Sequence, residues 1–338
     1  MKTHANSGTQ QQTLELGSPC QGEAAAGLLP CAPLYRTTHG AAFLGDSLEL
    51  LRAMPDRSVN LVITSPPYAL HFKKSYGNVS KSDYVEWFKP FAAEVLRVLT
   101  DDGSFVLNIG GSWNAGSPTR SLYQYKLLIA LVEELEFHLA QEFYWYNPAK
   151  MPVPAEWVTV RRIRVKDAVE HVWWLSKTTQ PKASNLKVLN PYSADMLRLN
   201  ARGLKSTVRP SGHVINQSWS KLSAEGSIPG NVFEEAAPDD MLKFGNNSAN
   251  DAYTMRCKAS GTPIHPARFP ASLPEFFIKL LTDEGDVVLD IFAGSNTTGA
   301  TAEKLSRCWL AMELSEEYLD ASKFRFEAIC DPVALPST

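Results

Sequence analysis

From about residue 42 onward, apolar and polar positions alternate between a strand period and a helix period. "AAFLGDSLELLRAMP" reads as a short strand, a Gly-Asp turn and a helix capped by Ser47, with Leu48, Leu51 and Met54 at helical spacing. "VNLVIT" is almost continuously aliphatic, which suits a strand covered on both faces. "SDYVEWFKPFAAEVLRVLT" predicts an amphipathic helix opened by Ser82 or Asp83 and running on despite Pro90. "DDGSFVLNIGG" follows as a turn and a strand, "LYQYKLLIALVEELEF" as a second amphipathic helix, and "AQEFYWYNPAKMP" and "DAVEHVWWLSK" as strands. Near the C-terminus come a helix ("SLPEFFIKLLTD"), a strand ("DVVLDIFAG"), a helix from Thr297 to Ser306, a strand ("CWLAMEL") and a last helix. Strands alternating with helices predict an α/β fold, its sheet parallel or mostly parallel and covered on both faces.

Between about 177 and 262 the alternation lapses, and Gly, Ser, Asn and Pro become frequent. A loop region this long inside a compact domain is functional or disordered. Residues 1–33, rich in Gln, Ala, Gly and Ser, read as a disordered lead-in. The expected organisation is that lead-in, a first half over 34–176, the irregular insertion over 177–262, a second half over 263–330 and a tail over 331–338. The net charge of −3 announces no nucleic acid, but its distribution does. From Lys150 to Glu225 there are thirteen Lys or Arg against five Asp or Glu, interleaved with Trp157, Trp173, Trp174, Tyr192 and Trp219. A solvated basic face is the plain alternative; a surface for phosphates accounts better for the excess, because cations that neutralise the backbone dominate nucleic-acid affinity.

The five cysteines, at 20, 31, 257, 308 and 330, form no C-x-x-C pair. That pattern argues for reduced thiols in a cytoplasmic setting and against a zinc site or a disulfide framework. No apolar run reaches the length of a membrane span, and no secretory signal is legible.

Two short motifs carry chemistry. Pro66 and Pro67 cannot donate to a ladder, so the aliphatic strand must end at or before Ser65 in a stiff loop with a free hydroxyl and Tyr68 behind it. In "DVVLDIFAGSNTTG" a strand ending at Asp290 enters a Gly-bearing turn and a helix start, as nucleotide-binding α/β folds do. It is not G-x-G-x-x-G, which argues against a nicotinamide enzyme. Glu313 ends the next strand, placed to accept both hydroxyls of a ribose.

Together, Ser65-Pro66-Pro67-Tyr68 and Asp290-x-Phe292-x-Gly294 resemble the catalytic and cofactor motifs of the DNA amino-methyltransferases. Their order, catalytic motif first, resembles the β group. The resemblance spans about residues 40–328. Through "LGDSLELL", "FYWYNPAKMP", "RIRVKDAV", "HPARFPASLPEFF" and "IFAGSNTTG" it is strongest to N4-cytosine-specific members. It implies a Rossmann-like S-adenosylmethionine-dependent methyltransferase sheet, mostly parallel with one antiparallel strand. Residues 34–176 would be its catalytic half, 177–262 a target-recognition region and 263–330 the cofactor half. It further implies Asp290, Phe292, Gly294, Ser295, Asn296 and Thr297 around the methionine and ribose, with Asp46 near the adenosine and Phe269 and Pro270 closing the methionine end. The implied partner is double-stranded DNA, with no metal and no membrane. The implied setting is the bacterial cytoplasm, at the nucleoid, in a restriction-modification system protecting a short palindrome such as CAGCTG. A cognate endonuclease would act on the same site without needing to bind this chain. Two departures from one N4-cytosine-specific member stand out: Tyr68 where that member has Phe, which keeps an aromatic face, and Ala293 beside Gly294 where it has Gly-Gly. The basic segment from about 180 to 262 matches less continuously.

The chemistry agrees with the resemblance. An exocyclic amine is a poor nucleophile because its lone pair is delocalised into the base. The Ser65 hydroxyl and the Pro66 carbonyl are acceptors that the Pro-Pro pair holds stiffly, and they would aim the amine at a sulfonium methyl group. Tyr68 would stack on a base flipped from the duplex. Transfer would be direct, without a covalent intermediate. His265 reads as a turn histidine rather than a base. Cys20, in "SPCQ", has no core strand before it and reads as inert. N6-adenine methylation by the same fold is the alternative within the enzymes. A sequence-specific DNA-binding protein without catalysis is the alternative outside them, opposed by the intact motifs.

Overall fold

The computed structural model describes residues 25–69, 79–148, 150–202, 207–208, 210, 214–215, 226–234 and 251–326. The aliphatic runs become strands: β1 (Tyr35–Arg36), β2 (Gly40–Leu44), β3 (Val59–Thr64), β4 (Leu99–Ile109), β5 (His138–Tyr146), β6 (Val169–Ser176), β7 (Thr207–Val208), β8 (Val214–Ile215), β9 (Val232–Glu234), β10 (Val287–Asp290) and β11 (Cys308–Glu313). All but β7 and β8, which pair with each other, form one sheet in the order β1-β2-β11-β10-β3-β4-β6-β5-β9. Strands β2, β11, β10, β3 and β4 run parallel, and β9 is parallel to β5.

The sheet buries both faces, and the strand period sorts side chains between them. Val62, Leu289, Leu310 and Met312 pack beneath the helices α1 (Ser47–Ala53), α2 (Tyr84–Val98) and α3 (Tyr123–Glu133), with Leu51, Phe88, Val95 and Leu127. The intervening Leu61, Ile63, Val288, Trp309 and Ala311 face the opposite layer. Helices α4 (Ala194–Arg202) and α5 (Ala252–Ser260) lie in the region where alternation lapses. Helices α6 (Ser272–Leu281), α7 (Thr297–Lys304) and α8 (Glu316–Ser322) follow, and the opposite layer takes Phe277, Ile278, Ala302 and Leu319 from these three. Pro90 lies inside α2, which continues past it to Val98.

Several expectations are corrected. Two strands run against the main direction rather than one: β6, between β4 and β5, and the edge strand β1. Only Thr37 to His39 join β1 to β2, too short a link for the crossover a parallel pair needs. The cap of α1 is Asp46, whose carboxylate accepts from Leu48 N and Glu49 N; Ser47 is the first helical residue. The lead-in is not structureless to residue 33, because Ala25, Ala26 and Leu29 are buried in the layer over α1 to α3. Its earlier part, with Cys20, lies outside the described residues, as do 327–338. The described parts of 177–262 do not stand apart from the flanking halves. Lys182 pairs with Asp286 at 2.6 Å, β9 extends the main sheet, and Tyr253 and Cys257 of α5 pack on Ala321. Cys31 and Cys257 are free thiols, whereas Cys308 is disulfide-bonded, against the expectation of reduced cysteines throughout. Among the described residues no helix is long and apolar enough to cross a membrane.

Candidate active site

The chain leaves β3 for β4 on one side of the sheet and β10 for β11 on the other, so β3 and β10 flank the point where the order reverses. Such a point opens a crevice at the carboxyl ends of the strands. A cavity of about 500 Å³ lies there, and Asp46, Ser65, Pro66, Pro67, Tyr68, Phe269, Phe292, Ser295, Thr297 and Glu313 all line it. Residues 268 positions apart in the sequence (Asp46 to Leu314) thus share one wall because their strands end at one edge.

On one side, β3 ends at Thr64 and the Ser65 corner begins. Tyr84 Oη donates to the Pro67 carbonyl at 2.9 Å, tying the corner to α2. The Tyr68 ring lies against Gly110 so closely that a Cβ there would fall 2.5 Å from ring carbon Cε2. Tyr68 Oη is 2.8 Å from Glu170 Oε2, 3.1 Å from Asn108 Oδ1 and 3.2 Å from Ser65 Oγ. Burial, then the charge of Glu170, hold the Tyr68 phenol well above its usual range.

On the other side, Gly294 takes a left-handed backbone (φ 50°), and a Cβ there would lie 2.9 Å from the His265 ring. Its N–H donates to Glu313 Oε2 at 2.7 Å, while Ser315 N donates to Oε1 at 2.9 Å. The carboxylate that closes β11 is therefore oriented by backbone on both oxygens. Burial raises the pKa of Glu313, and these backbone donors oppose the rise. Arg325 holds Ser295 through its carbonyl (2.6 Å) and hydroxyl (3.0 Å). Phe292 continues an aromatic wall with Trp87 and Phe91 of α2, at ring-centroid distances of 6.0 and 5.3 Å.

Four of the expected residues, Pro270, Asp290, Gly294 and Asn296, do not line the cavity. Asn296 caps α7: its Oδ1 accepts from Gly299 N at 3.0 Å and its Nδ2 donates to Tyr35 Oη at 2.9 Å. Asp290, 2% exposed, accepts from Thr64 Oγ1 (2.7 Å), Thr298 Oγ1 (2.7 Å) and Phe292 N (3.1 Å). It clamps the ends of β3 and β10 to α7. Burial raises its pKa from 3.8 to about 6 despite those donors. Because the folded pKa lies above the unfolded one, the linked stabilisation is complete below about 3.8 and lost as pH rises through about 6. Wild type should therefore gain stability relative to Asp290→Asn as pH falls from 7.5 to 4.5, by about 2 kcal/mol. Urea denaturation of both proteins checks this; a difference independent of pH would refute it.

His265 is more than a turn residue. It lines the cavity, meets Tyr318 edge-on at 4.6 Å, and burial lowers its pKa to about 4, which leaves it a weak base. The motifs also missed Asn108 and Glu170, both in the wall. Asn108 follows Leu107, the β4 partner of Thr64, and is a polar residue in an otherwise apolar run, so neighbouring-strand logic could have found it. Glu170 sits opposite Trp145 across β5 and β6, a pairing no local pattern announces.

A mostly parallel sheet with a switch-point cavity, an anchored carboxylate at one strand end and a Pro-Pro corner at another defines a Rossmann-like methyltransferase fold. The DNA methylase family model matches residues 59–324, and the chain belongs to that family. It is 50% identical over 297 residues to the type II methyltransferase M.PvuII of Proteus hauseri, covering 87% of this chain and 85% of that one. M.ScaI of Streptomyces caespitosus is 28% identical over 302 residues, covering 88% and 84%. The solved PvuII DNA methyltransferase, described as cytosine-N4-specific, superposes with a TM-score of 0.70 at 44% identity, covering 88% of this chain and 90% of that one.

Proposed function

We propose that this chain transfers a methyl group from S-adenosylmethionine to the exocyclic N4 amine of a flipped cytosine in double-stranded DNA. The observation that carries the reading is that the Ser65-Pro66-Pro67-Tyr68 corner and the anchored Glu313 open into one cavity. The identity to M.PvuII and the likeness to a cytosine-N4-specific structure support cytosine over adenine.

The residues present fit the cofactor. Glu313 is oriented to take a ribose diol, and Phe292, Trp87 and Phe91 offer an aromatic wall to an adenine. Arg268 lines the same cavity, and its buried Nε has no hydrogen-bond partner among the described residues, which suits a methionine carboxylate. The bound cofactor supplies an electrophilic methyl group on a sulfonium. The chain's own part is to hold the amine at Ser65 and Pro66 and to stack the base on Tyr68.

The duplex would approach from the same edge. Trp145 and Glu170, paired across β5 and β6, line the cavity, and the 147–168 connection rises between them. It carries Lys150, Arg161, Arg162, Arg164 and Lys166, beside exposed Val160, Ile163 and Val165. With residues 177–262 it forms the proposed DNA-facing surface. A bacterial cytoplasmic setting, with a cognate endonuclease acting on the same short palindrome, completes the reading.

The test is the product. Plasmid DNA from bacteria expressing the protein, digested to nucleosides and resolved by chromatography and mass, should contain N4-methylcytosine. N6-methyladenine would overturn the choice of base, and unmethylated DNA would favour a DNA-binding protein without catalysis.

A further inference from the structure

We propose that Glu170 receives, through Tyr68 and Ser65, the proton that amine methylation must release, so that it acts as a positioning and proton-accepting residue without touching the base. The inference rests on the amine-methylation reading of the Ser65 corner.

Its geometry is a chain of three groups. Ser65 Oγ lies 3.2 Å from Tyr68 Oη, and Tyr68 Oη lies 2.8 Å from Glu170 Oε2. Lys150 Nζ, 2.6 Å from Glu170 Oε1, secures the far side of the carboxylate and leaves Oε2 to the phenol. Asn108 Oδ1 touches both hydroxyls, at 3.3 Å from Ser65 and 3.1 Å from Tyr68. Its Nδ2 donates to the His171 carbonyl at 3.2 Å, which fixes the amide with its oxygen toward the hydroxyls. An amide oxygen orients these groups but is too weakly basic to keep a proton, so Glu170 is the carboxylate of this network. The titratable groups facing it are Tyr68, Lys150, Tyr123 of α3 and His171 of β6. The phenol stays protonated at neutral pH and so passes a proton on rather than supplying one permanently.

The step balances. The amine lone pair forms the nitrogen–carbon bond as the carbon–sulfur bond breaks and leaves its electron pair on sulfur. The nitrogen then carries one positive charge and one proton too many. That proton passes to Ser65 Oγ while the serine proton moves to Tyr68 Oη and the phenol proton moves to Glu170 Oε2. The products are a neutral methylated base, a neutral thioether, two intact hydroxyls and a protonated Glu170, which returns its proton to solvent. A Phe in place of Tyr68 lacks the middle oxygen, so the coupling depends on the tyrosine hydroxyl at this position.

Tyr68→Phe keeps the ring and removes the hydroxyl, and Glu170→Gln keeps the shape and removes the charge. Single-turnover methylation of a duplex carrying the mapped target site, followed from pH 6 to 9, should slow about 10²-fold in each variant at pH 7, the lower end of the range of proton-transfer catalysis. In both variants the residual rate should climb with pH as solvent base takes over, while the wild-type rate changes less. The double variant should be no slower than the slower single one, because both interrupt one serial route. Cofactor affinity by calorimetry, and the fluorescence of 2-aminopurine placed at the target base, should match wild type. A wild-type rate in either variant, or losses that multiply in the double, would overturn the relay. If Glu170→Gln fails to fold, Tyr68→Phe alone decides. Ser65→Ala run alongside separates the two readings. If it is slow while Tyr68→Phe is not, only the relay fails; if it is also unimpaired, the amine-methylation reading fails first.

Discussion

Ser65→Ala is expected to lower the single-turnover methylation rate by about 10²-fold while leaving cofactor affinity unchanged. The corner is stiff before any substrate arrives: Pro66 and Pro67 restrict the backbone, Tyr84 Oη holds the Pro67 carbonyl, and Gly110 lets the Tyr68 ring lie close behind. A hydroxyl held in this way is worth most when charge develops on the amine, and an aligned transition-state hydrogen bond contributes on the order of 10²–10³ in rate. A loss of 10² corresponds to about 2.7 kcal/mol of barrier. Tyr68→Ala, which removes ring and hydroxyl together, should be impaired at least as severely through lost stacking on the flipped base. Rapid-quench assays with labelled methyl donor measure the rate, and calorimetry measures the affinity. A wild-type rate in folded Ser65→Ala would remove Ser65 from the chemistry.

The second large effect is on binding. Glu313→Ala should weaken S-adenosylmethionine binding by about 1.5–3 kcal/mol, roughly 10- to 150-fold, the scale of a hydrogen bond to a charged group. Both carboxylate oxygens are already aimed by backbone donors, so little ordering remains to oppose binding. The substitution also leaves the Gly294 and Ser315 amides without their acceptor, so some of the loss will come from a looser turn around Gly294. Glu313→Gln separates the contributions: it can still accept from one of those amides but lacks the charge. Calorimetry on folded protein, with thermal unfolding as the control for the turn, reads both. Unchanged affinity would take Glu313 out of the site.

Local pattern determined most of the framework. The aliphatic runs at 59–64 and 308–313 could only be buried strands, the Pro-Pro pair could only end one of them, and the residues at 290 and 313 had to fall at strand ends. These are constraints a residue imposes on its own neighbourhood, and they suffice to put the Ser65 corner and the Glu313 carboxylate at strand ends, where both line the cavity. Function within the wall was another matter. Asp290 and Glu313 look equivalent as strand-terminal acids, yet one is a buried clamp on two threonines and the other lines the cavity. What separates them is which side of the strand end faces the crevice, and that depends on packing by α7. Likewise Asn108 and Glu170 meet Tyr68 only because β3, β4 and β6 are neighbours in the sheet, with β6 running backward so that its first residues reach the same edge. Strand order and direction come from tertiary packing of helices on both faces, which no single segment encodes. The Pro-Pro corner and the strand-end acid were therefore properties of the sequence, while the contacts that join Ser65 and Tyr68 to Glu170 were decided by the fold.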